Sequence, residues 1–244
     1  MIIKRIQSLY HQYGLLKLFS FSLSEIRIRW INPFFYNSFS QFGEDIWMDE
    51  YFHHKRKGFY IDIGAYDPFR FSNTMRFYKK GWHGINIEPN KERFVFFEKY
   101  RPFDINLNMG VGTKKQMMIF YRFDPPTLST FSSSQADTYN KQGFHLVQKE
   151  PVGVDSLEHI CKAYVRKQHI DFLSIDVEGL ELDVLKSNIW TRYTPQIICI
   201  ESASASEVQG NSRDREIQKF LTAKGYHLIH ETETNAFYEY KGKK

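Results

Sequence analysis

Tyr60-Ile61-Asp62-Ile63-Gly64-Ala65-Tyr66-Asp67-Pro68 is the stretch that decides the fold of this chain. Its apolar run, 59–63, predicts a short strand, and Gly64 ends it at a loop leading towards a helix. A helix is expected over 73–80, stopping at Gly81, where the left-handed cap conformation suits glycine. The run 84–87 predicts a second strand ending in Glu88-Pro89-Asn90. Asn90 can then cap a helix reaching Tyr100, which Pro102 terminates. Strand, helix, strand, helix in this order builds a mostly parallel sheet. Ligands of such sheets bind in the crevice at the carboxyl ends of the strands, so Gly64 and Glu88 mark a candidate site.

The same residues say what the site suits. A dinucleotide site needs G-x-G-x-x-G, because its second glycine lets the backbone approach a pyrophosphate. Here Gly64 stands alone and is followed by the bulky Tyr66 and Phe69. Glu88 at the end of the second strand is placed to accept hydrogen bonds from both hydroxyls of a ribose. An adenosine ligand without phosphate fits that combination, and S-adenosylmethionine (SAM) is one. Its sulfonium is positive, so the carboxylates of Asp62 and Glu44 would favour it.

Further along, 105–111 predicts a third strand and 117–123 the next extended run. Residues 124–150 are polar and Ser-rich, and read as a lid or acceptor insertion. Asp155-Ser156-Leu157-Glu158 opens a helix in capping-box style. Strands are expected at 172–176 and 197–200, with a helix beginning at Leu180 between them. A helix over 214–224 capped by Gly225 leads to a closing pair of strands, 226–229 and 236–240. The expected fold is a Rossmann-like α/β sheet over 40–244 with helices on both faces. Residues 1–39 form a separate block, basic and aromatic, with Glu25 its only acid. Ile2, Ile6, Leu9, Tyr10, Tyr13 and Leu16 fall on one face of a helix there, which would pack on the main domain, on a second copy, or on an anionic membrane surface.

Composition sets the outer limits. A chain of 244 residues with 42% hydrophobic and 25% charged residues suits one soluble globular domain with an appendage. Lys and Arg number 33 against 28 Asp and Glu, a mild lean towards anionic surfaces or phosphorylated substrates. Cys161 and Cys199 fit neither a metal-ligand spacing nor a disulfide framework, which points to a reducing compartment. No run approaches the ~18 apolar residues of a membrane span. The expected location is cytoplasmic, at or near the inner face of the membrane if residues 1–39 bind it. Asp124-Pro125-Pro126-Thr127 is similar to the motif of methyltransferases that act on the amines of bases. Thr127 stands where the stacking aromatic would be, so a nucleic-acid partner is not expected.

Six runs carry a family resemblance. They are Ser40-Gln41-Phe42-Gly43-Glu44-Asp45-Ile46, Asp62-Ile63-Gly64-Ala65, Arg70-Phe71-Ser72-Asn73-Thr74, Gly84-Ile85-Asn86-Ile87-Glu88-Pro89, Asp104-Ile105-Asn106-Leu107-Asn108 and Phe172-Leu173-Ser174-Ile175-Asp176-Val177-Glu178-Gly179. Together, across residues 40–202, the chain resembles the FkbM family of SAM-dependent methyltransferases. The resemblance implies a seven-stranded class I methyltransferase sheet and O-methylation, often of sugars in bacterial surface glycans. Carried over by position, Asp62, Gly64 and Ala65 would line the methionine part of SAM, and Glu88 would hold its ribose. Asn108 and Gly110 would border the adenine, and Gln41 and Glu44 would fold over the cofactor. Ser72 and Thr74 would stand at a helix N-terminus that receives its carboxylate.

A sugar hydroxyl is a poor nucleophile, so a base or a metal should help it lose its proton. Asp176 is the first candidate, Glu178 the second, and His145 in the insertion the histidine to test. No metal is expected, although Asp176, Glu178 and Glu201 together have the oxygen ligands Mg²⁺ would take. The acceptor is expected to be a sugar, a nucleotide sugar or a lipid-linked glycan. Two other readings are a nucleic-acid or protein methyltransferase and a non-catalytic SAM-binding scaffold.

Overall fold

The computed structural model describes residues 38–202 and 212–242. In chain order its elements are α1 (Glu44–Tyr51), β1 (Phe59–Ile63), α2 (Met75–Lys79), β2 (His83–Ile87), α3 (Lys91–Tyr100), β3 (Ile105–Leu107), β4 (Gly110–Val111) and β5 (Gln116–Asp124). There follow α4 (Ser133–Lys141), β6 (His145–Asp155), α5 (Leu157–Tyr164), β7 (Phe172–Ile175), α6 (Glu181–Lys186), β8 (Ile197–Glu201), α7 (Ser212–Ala223), β9 (Tyr226–Glu231) and β10 (Asn235–Tyr240).

All five residues of β1 are buried, which requires cover on both faces of the sheet. Alternation sends Phe59, Ile61 and Ile63 to one side, where they meet Leu157 and Ile160 of α5, Val184 and Leu185 of α6, and Ile217 and Leu221 of α7. Tyr60 goes to the other side, into a cluster with Phe172, Phe237, Met48 of α1 and Phe77 of α2. That second core is largely aromatic: the Phe77 ring lies 4.8 Å from Trp82 and 4.9 Å from Phe172.

The seven-stranded sheet runs β3-β2-β1-β7-β8-β10-β9, and β10 alone is antiparallel to its neighbours. The chain builds outward from β1 to β3 and then returns to β7 on the other side of β1. This reversal leaves a crevice above the ends of β1 and β7, the topological switch point of an open α/β sheet. Local signals set the helices that frame it. The Asn90 side chain accepts from the Glu92 amide at 3.0 Å to start α3, and Ser156 accepts from His159 at 3.2 Å to start α5.

One expectation needs correction. The single strand expected over 105–111 is divided: β3 belongs to the main sheet and β4 to a separate sheet ordered β4-β6-β5. The break falls at Asn108, whose amide donates to the Glu88 and Pro89 carbonyls at 2.9 and 3.0 Å. The polar stretch 124–150 is built of α4 and the first half of β6, which pairs with β5 from Gln116↔Val154 to Asp124↔His145. Within β6 only Val154 is buried. The apolar contacts of β6 are confined to Leu146, Val152 and Val154, with Gln148 and Glu150 between them, which breaks the hydrophobic periodicity a sequence reading needs.

Residues 1–37, with the amphipathic helix expected there, lie outside the described residues. Among the described residues no helix is long and apolar enough to cross a membrane. Cys161 and Cys199 are buried and unpaired.

Candidate active site

Gly64 turns the chain at the end of β1 with φ +77°, and a Cβ there would lie 1.7 Å from the Asp176 carbonyl oxygen. Only glycine permits both the left-handed backbone and that contact between the two loops. The Gly64 and Ala65 amides donate to the Ile87 carbonyl at 3.0 and 3.1 Å, which clips the loop to the end of β2. Glu88 follows immediately. Its carboxylate accepts from the Tyr66 amide at 2.7 Å and the Asn90 amide at 2.8 Å. Burial pushes the Glu88 carboxyl up to about 7, against these two bonds and Arg93, which lower it. Each oxygen keeps a lone pair after its backbone bond, so the pair retains capacity for two ribose hydroxyls. Asn108 is exposed at the same edge, whereas Gly110 is buried under the Phe131 ring, which a Cβ would meet at 2.6 Å.

Asp62 lies in a polar row, Asn106, Asn86, Asp62, Ser174 and Cys199, that crosses five strands in register. The Thr74 hydroxyl donates to Asp62 at 2.7 Å, and burial raises the Asp62 pKa in spite of that bond. Behind them Arg101 is fully buried. It donates to the Thr74 and Ser72 hydroxyls, each at 2.7 Å, and to the Pro68 carbonyl at 2.6 Å. Asp104 completes the network, accepting from Tyr60 at 2.6 Å, the Gly84 amide at 2.8 Å and Asn86 at 2.9 Å. Ser72 and Thr74 therefore both take part in a buried network, in front of a helix of only five residues. Glu44 is also fully buried, and accepts from the Phe42 amide, Thr232 and Asn235 at 2.8, 2.9 and 3.2 Å, which ties α1 to the β9–β10 turn. Gln41 is half-buried in the turn before α1.

The ends of β7 and β8 bring the other candidates together. Asp176, Glu178 and Glu201 each place a carboxylate oxygen within 4.8 Å of the others. Glu178 has φ +52°, a strained value for a non-glycine residue, and the insertion holds it there. Thr130 donates to its carbonyl at 2.8 Å, and the Tyr139 hydroxyl donates to its carboxylate. Glu181, wholly buried, accepts from the Gly179 amide at 3.0 Å and lies 3.3 Å from Arg213, which is 3.9 Å from Glu201. Water reaches the Asp176 side chain, yet protein surrounds it on most sides. That desolvation, then Glu178, Glu181 and Asp62, raise its pKa well above the carboxylate range. Desolvation and Glu201 likewise push Glu178 up to about 8, with the Tyr139 bond opposing. Carboxylates so raised are stronger bases than free ones. Their oxygens are also of the type that holds a hard divalent cation.

His145 is placed differently, exposed at the start of β6 opposite Asp124. Its path to the cluster runs through Phe144, whose ring lies 5.8 Å from that of Tyr139. Sequence reasoning did not single out Arg101, Tyr139, Glu181 or Arg213. A charged residue between Tyr100 and Pro102 reads as a surface helix end, and nothing local to Tyr139 or Arg213 points at a site assembled from distant strands.

Acidic side chains from successive strand ends, gathered beside a glycine loop at a switch point, define a doubly wound α/β enzyme. The methyltransferase FkbM domain matches residues 62–228, and the chain belongs to this methyltransferase family. The match opens on Asp62 and takes in Gly64, Glu88 and the carboxylate cluster. No curated protein matches the chain.

Proposed function

We propose that this methyltransferase uses SAM and methylates a sugar hydroxyl during glycan assembly, with Asp176 as the base. One observation carries the reading: the Asp176 carboxylate is open to the crevice and no hydrogen bond holds it among the described residues, while its own carbonyl packs against Gly64. SAM supplies an electrophilic methyl carbon on a sulfonium, and transfer breaks that C–S bond as a C–O bond forms. Glu88 would accept from the ribose, and the Gly64–Ala65 backbone would hold the methionine part. Asp176, in its ionised form, takes the proton of the acceptor hydroxyl. Glu178, fixed by Tyr139, and Glu201 accept from neighbouring hydroxyls and turn the reacting oxygen towards the methyl group. Positioning of this kind supplies much of the rate in a bimolecular displacement.

The charge of the cluster favours such an acceptor. Asp176, Glu178, Glu181 and Glu201 face a single guanidinium, Arg213. A neutral polyol donates hydrogen bonds into that set, whereas a phosphate backbone meets repulsion. The test is a screen of monosaccharides, nucleotide sugars and glycans for S-adenosylhomocysteine release. Release with a saccharide acceptor is expected. SAM binding with turnover only on an oligonucleotide or a protein would overturn the sugar reading.

A further inference from the structure

Beside Glu88, α3, β5 and the start of the insertion line an open concavity of about 390 Å³. That volume lies within the range of small-molecule pockets. Arg93 and Phe96 of α3 form one side, and Arg122 and Phe123 of β5 the other. No residue of the carboxylate cluster or of the β1 loop lines it. It is nevertheless coupled to both regions. Asn90, on its wall, donates through its amide to Glu88. The strand pair that carries Arg122 continues into α4, whose Tyr139 holds Glu178.

Both guanidinium groups of this cavity are paired with carboxylates. Arg122 lies 2.8 Å from Glu92 and 3.7 Å from Glu150, and Arg93 lies 3.3 Å from Asp67. Guanidinium groups already neutralised in this way make a poor trap for phosphate. They do offer donors next to acceptors, and a hydroxyl needs one of each because it both donates and accepts. The apolar side is supplied by Phe96, which is 43% exposed although Phe97 beside it is buried. Its ring is stacked on Tyr100 at 6.4 Å and 10°. A flat, exposed ring beside paired donors and acceptors matches a pyranose, whose C–H face is apolar and whose rim is hydroxylated.

We propose that this cavity is a second sugar subsite and that the acceptor is an oligosaccharide, one unit anchored between Arg122 and Phe96 while another presents its hydroxyl to Asp176. The inference rests on the sugar O-methylation reading and extends it from a sugar to a chain of sugars. A monosaccharide fills only one of the two places.

The experiment compares mono- and oligosaccharides of two to six units as acceptors for the full-length chain, by S-adenosylhomocysteine release, and measures SAM affinity in parallel. Oligosaccharides are expected to give the higher kcat/KM. Arg122→Ala should raise KM for them about tenfold, the worth of one charge-assisted contact, and the surface change Phe96→Ala should raise it several-fold through loss of the apolar platform, with kcat retained in both. SAM affinity and turnover of monosaccharides should not change. Equal turnover of both acceptor classes, untouched by either substitution, overturns the subsite and leaves the sugar reading standing. Weakened SAM binding in the variants overturns it too, because the cavity then holds part of the cofactor. Absence of turnover on any saccharide sinks both readings.

Discussion

Two groups of buried charge sit on the same sheet, some strands apart, and they are built in opposite ways. Around Arg101 each guanidinium nitrogen donates, and Asp104 accepts three hydrogen bonds besides lying 4.0 Å from Arg101. Around Asp176 several carboxylates crowd one arginine, and the most accessible of them has no hydrogen-bond partner among the described residues. The arginine network, with every guanidinium nitrogen and the Asp104 carboxylate bonded, specifies a conformation; the acidic cluster stores proton affinity. Polar groups buried without compensation destabilise a fold, so their persistence at a strand end marks chemistry rather than architecture.

Substitutions can break this contrast. Asp176→Asn has the largest expected effect: turnover should fall by about 10²–10⁴-fold, the usual contribution of a general base, with SAM affinity kept. Its melting temperature should hold or rise, since one of several repelling carboxylates is gone. Arg101→Met should act the other way round. It leaves Asp62 and Asp104 buried without their cation, and should cost about 3–5 kcal/mol in urea unfolding. A variant as stable as the parent would show that the Arg101 network is dispensable.

Smaller changes sharpen the comparison. Tyr139→Phe removes the insertion's bond to Glu178, and kcat should drop about tenfold, as expected for one bond to a charged group. Stability should barely change, because the Tyr139 ring stays packed in the insertion's own small cluster, apart from the main core, and Thr130 still holds the Glu178 backbone. Glu88 gives a pH test. Its carboxyl titrates at about 7 in the fold against 4.5 when free. Between these values the folded chain holds a proton that the unfolded chain has lost, so the contribution of Glu88 to stability declines as pH rises through this window. The proposed ribose contact uses the ionised form, so on that reading SAM affinity should weaken as pH falls below about 7, and calorimetric titration at several pH values tests this directly. Removal of divalent cations should have the smallest effect. With Arg213 beside the cluster, EDTA is expected to change turnover less than about twofold, below the contribution of one hydrogen bond. A loss restored by Mg²⁺ would assign the three carboxylates as ligands.

Much of this design could be read along the chain. Gly64, the Asn90 and Ser156 caps and the short apolar runs are local signals, and local steric and hydrogen-bonding rules act on them directly. Glu88 was legible because its place, at the end of a second strand, follows from counting elements. The motif runs holding Ser72, Thr74, Asp104 and Asn106 were visible too, but their purpose was not. They surround Arg101, and a buried arginine and an exposed one look alike in sequence. β6 escaped for a related reason: its pairing with β5 is a long-range ladder, and its apolar face is interrupted by Gln148 and Glu150.

By itself, then, the sequence determined a mostly parallel α/β sheet, a glycine turn at Gly64 at the end of its first strand, and the carboxylates at the strand ends. Those follow from spacing and from backbone sterics within a few residues. Only the tertiary structure decided that Asp176, Glu178 and Glu201 converge, that Tyr139 reaches them from the insertion, and that Arg101 is enclosed beneath Asp62. Convergence depends on strand order, and the raised pKa values depend on how much protein surrounds each charge; neither is a property of any short stretch of chain.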